Sequence, residues 1–90
     1  MANSYEFILF VSGMSVKSVR AIENMNAIGE NYLKGKFDLK IIDITTNKEA
    51  SLKYGIFAIP TLIKINPAPL RTIVGDLSDK KKVLRILEIE

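Results

Sequence analysis

Ser12 and Ser15 lie where a strongly apolar run gives way to a helix-forming one, so one of these hydroxyls sits close to a helix N-terminus. Such a position favours a nucleophile, but a serine still needs a neighbouring base, and the chain contains no histidine. Both serines are therefore expected to be structural, one in the loop and Ser15 as an N-cap. The chain also lacks cysteine, which removes disulfides, thiol catalysis and zinc sites built on Cys or His. Asp43, Asp76 and Asp79 are hard-cation ligands by type, but their spacing matches no calcium loop. Gly13, Gly29, Gly35, Gly55 and Gly75 are too scattered to cradle a phosphate. No catalytic, cofactor or metal site is expected.

What remains is charge. Lys80, Lys81 and Lys82 fall in the first turn of a predicted helix, where the macrodipole is already positive and each cation costs some tenths of a kcal/mol. They read either as a solvated face or as a basic edge for an acidic partner. Arg20 and Arg71 are the other expected contact residues, because arginine is the commoner anchor at interfaces.

The elements that position these residues can be read in order. Tyr5 to Val11 is apolar and strand-favouring, as in a central strand covered on both faces. A helix follows from about Val16 to Leu33, with Ile22, Met25, Ile28, Gly29, Tyr32 and Leu33 on one face and Gly35 ending it. Phe37 to Ile44 is a second strand in which Phe37, Leu39 and Ile41 alternate with Asp38 and Lys40. Such a crossover makes the two strands parallel. Thr46-Asn47 starts a short helix over Lys48 to Tyr54, which Gly55 closes.

Pro60 lacks a donor N–H and holds Ile59 extended, so it opens a third strand. Asn66-Pro67-Ala68-Pro69 turns the chain, and Leu70 to Val74 returns as a fourth strand. Gly75 leaves that strand, and Ser78 is expected to cap a last helix from Asp79 toward Ile89, with Leu84 and Leu87 in the core and Val83 beside them. Asp76 and Asp79 partly offset the three lysines. The order is βαβαββα, although Leu87-Glu88-Ile89-Glu90 also alternates as a strand would.

Ninety residues, 48% hydrophobic and 26% charged, fit one globular domain over 1–90. No apolar run approaches the ~18 residues of a membrane span, and the opening Met1-Ala2-Asn3-Ser4-Tyr5-Glu6 has no basic leader, so a cytoplasmic protein is expected. The net charge of +3 is spread along the chain, which suits an acidic protein partner and gives little support to nucleic acid.

Tyr54-Gly55-Ile56 followed by Ile59-Pro60-Thr61-Leu62 resembles the cis-proline segment of thioredoxin-like proteins. That resemblance implies a mixed four-stranded sheet, with a cis Ile59-Pro60 bond facing the loop where thioredoxin-like enzymes carry two cysteines. Here the loop is Ser12-Gly13-Met14-Ser15.

Further blocks narrow the resemblance. Phe10-Val11-Ser12-Gly13, Ser18-Val19-Arg20-Ala21, Leu39-Lys40-Ile41-Ile42-Asp43 and Asn66-Pro67-Ala68-Pro69-Leu70-Arg71, leading into Gly75-Asp76-Leu77-Ser78-Asp79, are similar to the KaiB family of the cyanobacterial-type circadian clock. The resemblance implies a non-enzymatic protein that binds the KaiC ATPase and kinase, modulates its phosphorylation and can engage KaiA. The SasA sensor domain uses a similar surface, but the chain has no room for a kinase. KaiB proteins also have a second, tetrameric fold with a rearranged C-terminal half, of order βαββααβ. Family members often carry glycine and aspartate where this chain has Ile86 and Glu88, both better helix formers, so the thioredoxin-like form is expected here. A dimer or tetramer remains open. The other functional reading is a thiol-free thioredoxin-like module that binds proteins or acts as a stress-related chaperone.

Overall fold

A computed structural model describes residues 5–89, so the leader reading at Met1 to Ser4 lies outside the described residues. The elements are β1 (Tyr5–Val11), α1 (Val16–Tyr32), β2 (Phe37–Asp43), α2 (Lys48–Tyr54), β3 (Thr61–Asn66), β4 (Arg71–Val74) and α3 (Lys80–Leu87). This is the expected βαβαββα order. The strands form one mixed sheet in the order β2-β1-β3-β4, with β1 parallel to β2 and antiparallel to β3, and β4 antiparallel to β3.

Register assigns the faces. Phe7 lies opposite Leu39 and Lys64, Leu9 opposite Leu62, and Leu62 opposite Ile73. These apolar side chains form a core with Ala21, Met25 and Ile28 of α1 and with Val83 and Leu87 of α3. Phe10 points to the other face and meets the Tyr54 ring of α2 at 5.5 Å between centroids. The central strand is therefore covered on both sides, as its unbroken apolar run requires.

The helix ends follow local chemistry. Ser15 Oγ accepts the Ser18 N–H, Asn47 Oδ1 accepts the Ala50 N–H, and Gly55 closes α2 at φ 67°. After α1 the Gly35 N–H donates to the Gly29 carbonyl at 3.1 Å, with Lys34 and Gly35 both left-handed. Gly29 is glycine because the Phe37 ring occupies the space its Cβ would need.

Three expectations need correction. The cap of α3 is Asp79, whose carboxylate accepts the Lys82 N–H, and Ser78 instead donates its N–H to Asp76 Oδ1 at 3.1 Å. An aspartate cap places negative charge at a helix end crowded by Lys80, Lys81 and Lys82. Next, α3 stops at Leu87, because Glu88 turns left-handed at φ 60°. Its helix propensity therefore has no bearing on the fold. Finally, Val83, Leu87 and Ile89 are buried and Leu84 is only partly so, while Ile41 of the edge strand β2 is 45% exposed. The Ile59-Pro60 bond is cis, as are Asn66-Pro67 and Ala68-Pro69.

Candidate functional site

The loops at the C-terminal end of β1 converge through polar contacts. Ser18, fully buried, accepts the Ser12 N–H at 3.1 Å and the Ser15 hydroxyl at 2.7 Å. Asp43 Oδ1 accepts the Gly13 N–H, the Thr45 N–H and the Thr45 hydroxyl. The Gly75 N–H donates to the Pro60 carbonyl at 2.9 Å, which joins the end of β4 to the start of β3. Ser15 Oγ thus caps α1, and Ser12 closes the loop through its backbone N–H and carbonyl. Among the described residues no group of His, Cys, Asp and Glu is placed to hold a metal.

The Gly75-Asp76-Leu77-Ser78 block has a physical explanation of its own. Leu77 adopts φ 65° yet is only 4% exposed, so its burial in the α1/α3 core offsets the cost of a left-handed leucine. Asn24 of α1 donates its side-chain N–H to the Asp76 carbonyl at 2.8 Å and fixes the loop from the other side. Hydrogen bonds from Ser78 hold the Asp76 carboxyl below the usual carboxylate range, and the Arg20 and Lys17 charges act in the same direction.

The five basic residues singled out from the sequence lie on three elements, Arg20 on α1, Arg71 on β4 and the three lysines at the start of α3. Arg20 is exposed on α1, on the side of Asp76. Lys80 Nζ lies 5.6 Å from the centroid of the Tyr32 ring, a cation–π contact that joins the start of α3 to the end of α1. Lys81 and Lys82 are exposed. Arg71 is engaged within the chain, its guanidinium 2.9 Å from the Glu88 carboxylate.

Two further features stand out on this structure. Phe57, on the approach to Pro60, is 96% exposed, and Met14 and Val16, just after β1, are also strongly exposed. Lys64 is almost wholly buried and donates from Nζ to the Leu87 carbonyl at 3.1 Å. Each left a signal: an aromatic in a loop, and a lone cation inside the apolar run Thr61-Leu62-Ile63-Lys64-Ile65.

The KaiB domain model matches residues 8–89. The chain belongs to the KaiB family. It is 42% identical over 89 residues to the circadian clock oscillator protein KaiB of a Cyanothece species, covering 99% of this chain and 85% of that protein. The KaiB of Thermosynechococcus vestitus is 40% identical, with 99% and 82% covered. Among solved structures, the N-terminal domain of Synechococcus elongatus SasA superposes with a TM-score of 0.70 at 23% identity, over 98% of this chain and 87% of that one. Fasciola hepatica thioredoxin gives 0.75 at 17% identity, over 98% and 83%. At those identities the likeness is one of fold. This KaiB-family chain has the thioredoxin-like architecture without a thiol to perform thioredoxin chemistry.

Proposed function

We propose that this KaiB-family chain is a non-catalytic clock protein of the cytoplasm that docks on a KaiC-type ATPase and modulates its phosphorylation state. The observation that carries the reading is the nearly full-length match to clock oscillator proteins. The surface supports it. Phe57 offers a large aromatic anchor held outside the core, and aromatic and arginine side chains contribute most at protein interfaces. Arg20, Lys81 and Lys82 are exposed basic residues suited to steering an acidic partner, whereas Arg71 must first release Glu88.

A KaiA-like protein and a second copy of this chain are further partners in this reading. The exposed apolar side chains Met14, Val16, Leu52 and Phe57 also favour a second reading, a thiol-free thioredoxin-like module that binds exposed apolar segments in a chaperone-like way. The two separate in a phosphorylation time course of the KaiC-type protein of the same organism, with and without this chain. A clock protein changes the phosphorylated fraction at stoichiometric amounts. A general apolar binder leaves it unchanged while suppressing aggregation of an unrelated unfolded protein.

A further inference from the structure

Helix α3 cannot stand by itself. Its eight residues fall short of the ~12–15 at which isolated helices become marginal in water, and its first turn holds three lysines against the macrodipole. It is helical because it docks, through Val83 and Leu87 and through Ile89 just beyond it. The last carbonyls of a helix have no partner within it, and at this end the β3–β4 hairpin supplies one. The Lys64 ammonium, on the buried face of β3, donates to the Leu87 carbonyl. Arg71 lies opposite Lys64 in the β3–β4 register and reaches the Glu88 carboxylate.

We propose that Lys64 and Arg71 form an ionic latch on the C-terminal end of α3, with Glu88 as its release, so that neutralising Glu88 opens this end ahead of the rest of the sheet. The charge balance is uneven. Lys64 from β3 and Arg71 from β4 both face Glu88, Arg85 belongs to the same last helical turn, and β1 offers only Phe7 opposite Lys64. One carboxylate and the negative end of a helix dipole thus offset the Lys64 and Arg71 cations. A buried ammonium is tolerated when hydrogen-bonded and balanced, and is costly when it is not. With Glu88 neutral, lifting the last turn of α3 gives the Lys64 ammonium access to water.

The geometry fixes the sign of the pH dependence. The hydrogen bond from Arg71, joined by the Lys64 charge, holds the Glu88 carboxyl below its ordinary range. The latch is therefore closed above the unfolded-state value and is lost as pH falls through the folded one.

Amide hydrogen exchange on the full chain tests this, with the Leu87, Glu88 and Ile89 amides compared against Leu9 and Leu62 after correction for intrinsic rates. In the wild type the α3 amides should lose about two- to fivefold in protection relative to the sheet between pH ~6.5 and ~3, the range set by one partly exposed ion pair. Glu88→Gln should show that loss already at pH ~6.5 and a smaller further relative loss in acid, while Arg71→Gln, which leaves Glu88 facing Lys64, should show part of the loss at pH ~6.5 and the rest in acid. Lys64→Met, which keeps the bulk and removes the ammonium, should speed α3 exchange and spare the sheet. The proposal is overturned if the ratio of α3 to sheet protection is the same in wild type and all three variants, or if it falls in acid equally in Glu88→Gln.

Discussion

The Asp43 carboxylate accepts the Gly13 N–H at 3.1 Å, joining the end of β2 to the loop that follows β1, thirty residues away. The same oxygen takes the Thr45 hydroxyl at 2.7 Å and its N–H at 2.9 Å. The Thr45 hydroxyl, the Thr45 N–H and the Gly13 N–H, in that order, lower the Asp43 pKa. A carboxyl depressed on folding adds stability above its unfolded value and loses it as pH falls through the folded one. Urea unfolding should show stability decreasing from pH ~6 toward ~3. Asp43→Ala should be less stable at the upper pH and should lose less on acidification. Parallel curves for the two proteins would remove Asp43 from the account.

Gly29 and Phe37 form a matched pair. Alanine gains helix propensity at an interior glycine, about 1 kcal/mol. At Gly29 its methyl overlaps the Phe37 ring, and overpacking of this kind costs about 1–3 kcal/mol. Gly29→Ala should therefore be net destabilising in equilibrium denaturation. Combining it with Phe37→Leu should cost less than the sum of the two single changes, the coupling expected of residues in contact.

Leu87 is wholly buried at the end of α3. Leu87→Ala should destabilise the protein by about 2–5 kcal/mol, the range for large-to-small changes in a core. Thermal unfolding would check it. A loss no larger than that of a surface substitution would show that α3 docks more loosely than its buried side chains indicate.

The absence of cysteine makes a chemical prediction. Pure protein should not accelerate reduction of insulin disulfides by dithiothreitol, since disulfide exchange requires a thiolate. Turbidity at the uncatalysed rate is the expected result.

Much of the fold was legible because the residues that end its elements act locally. Ser15, Asn47 and Gly55 cap or close helices by interactions within a few residues of themselves, and Pro60 restricts its own backbone and that of Ile59. The α3 cap is harder to place from sequence because two capable residues, Ser78 and Asp79, are adjacent. The choice between them depends on Asp76 taking the Ser78 N–H. Leu77 and Glu88 gave no sign of left-handed backbone, because leucine and glutamate rarely adopt it and only the packing of α3 imposes it.

The candidate site was less legible for the same reason. The sequence marks Arg71 as a contact residue but not its ion pair, because Glu88 is seventeen residues away and comes within reach only when α3 folds back. The burial of Lys64 likewise depends on the last turn of that helix. Composition and local pattern report neither.

Binding of the KaiC-type ATPase from the same organism tests the central claim most directly. A surface-binding titration at two salt concentrations would compare wild type with Phe57→Ala, Arg20→Ala, Arg71→Ala and a Lys80/Lys81/Lys82→Ala triple variant. A basic chain steered to an acidic surface loses affinity as salt shortens the Debye length from about 10 Å at 0.1 M to about 3 Å at 1 M. Binding should be saturable and weaken with salt, with a large loss for Phe57→Ala, smaller losses for Arg20→Ala and the triple lysine variant, and little change for Arg71→Ala. Absence of binding in every nucleotide state of the ATPase would contradict the claim.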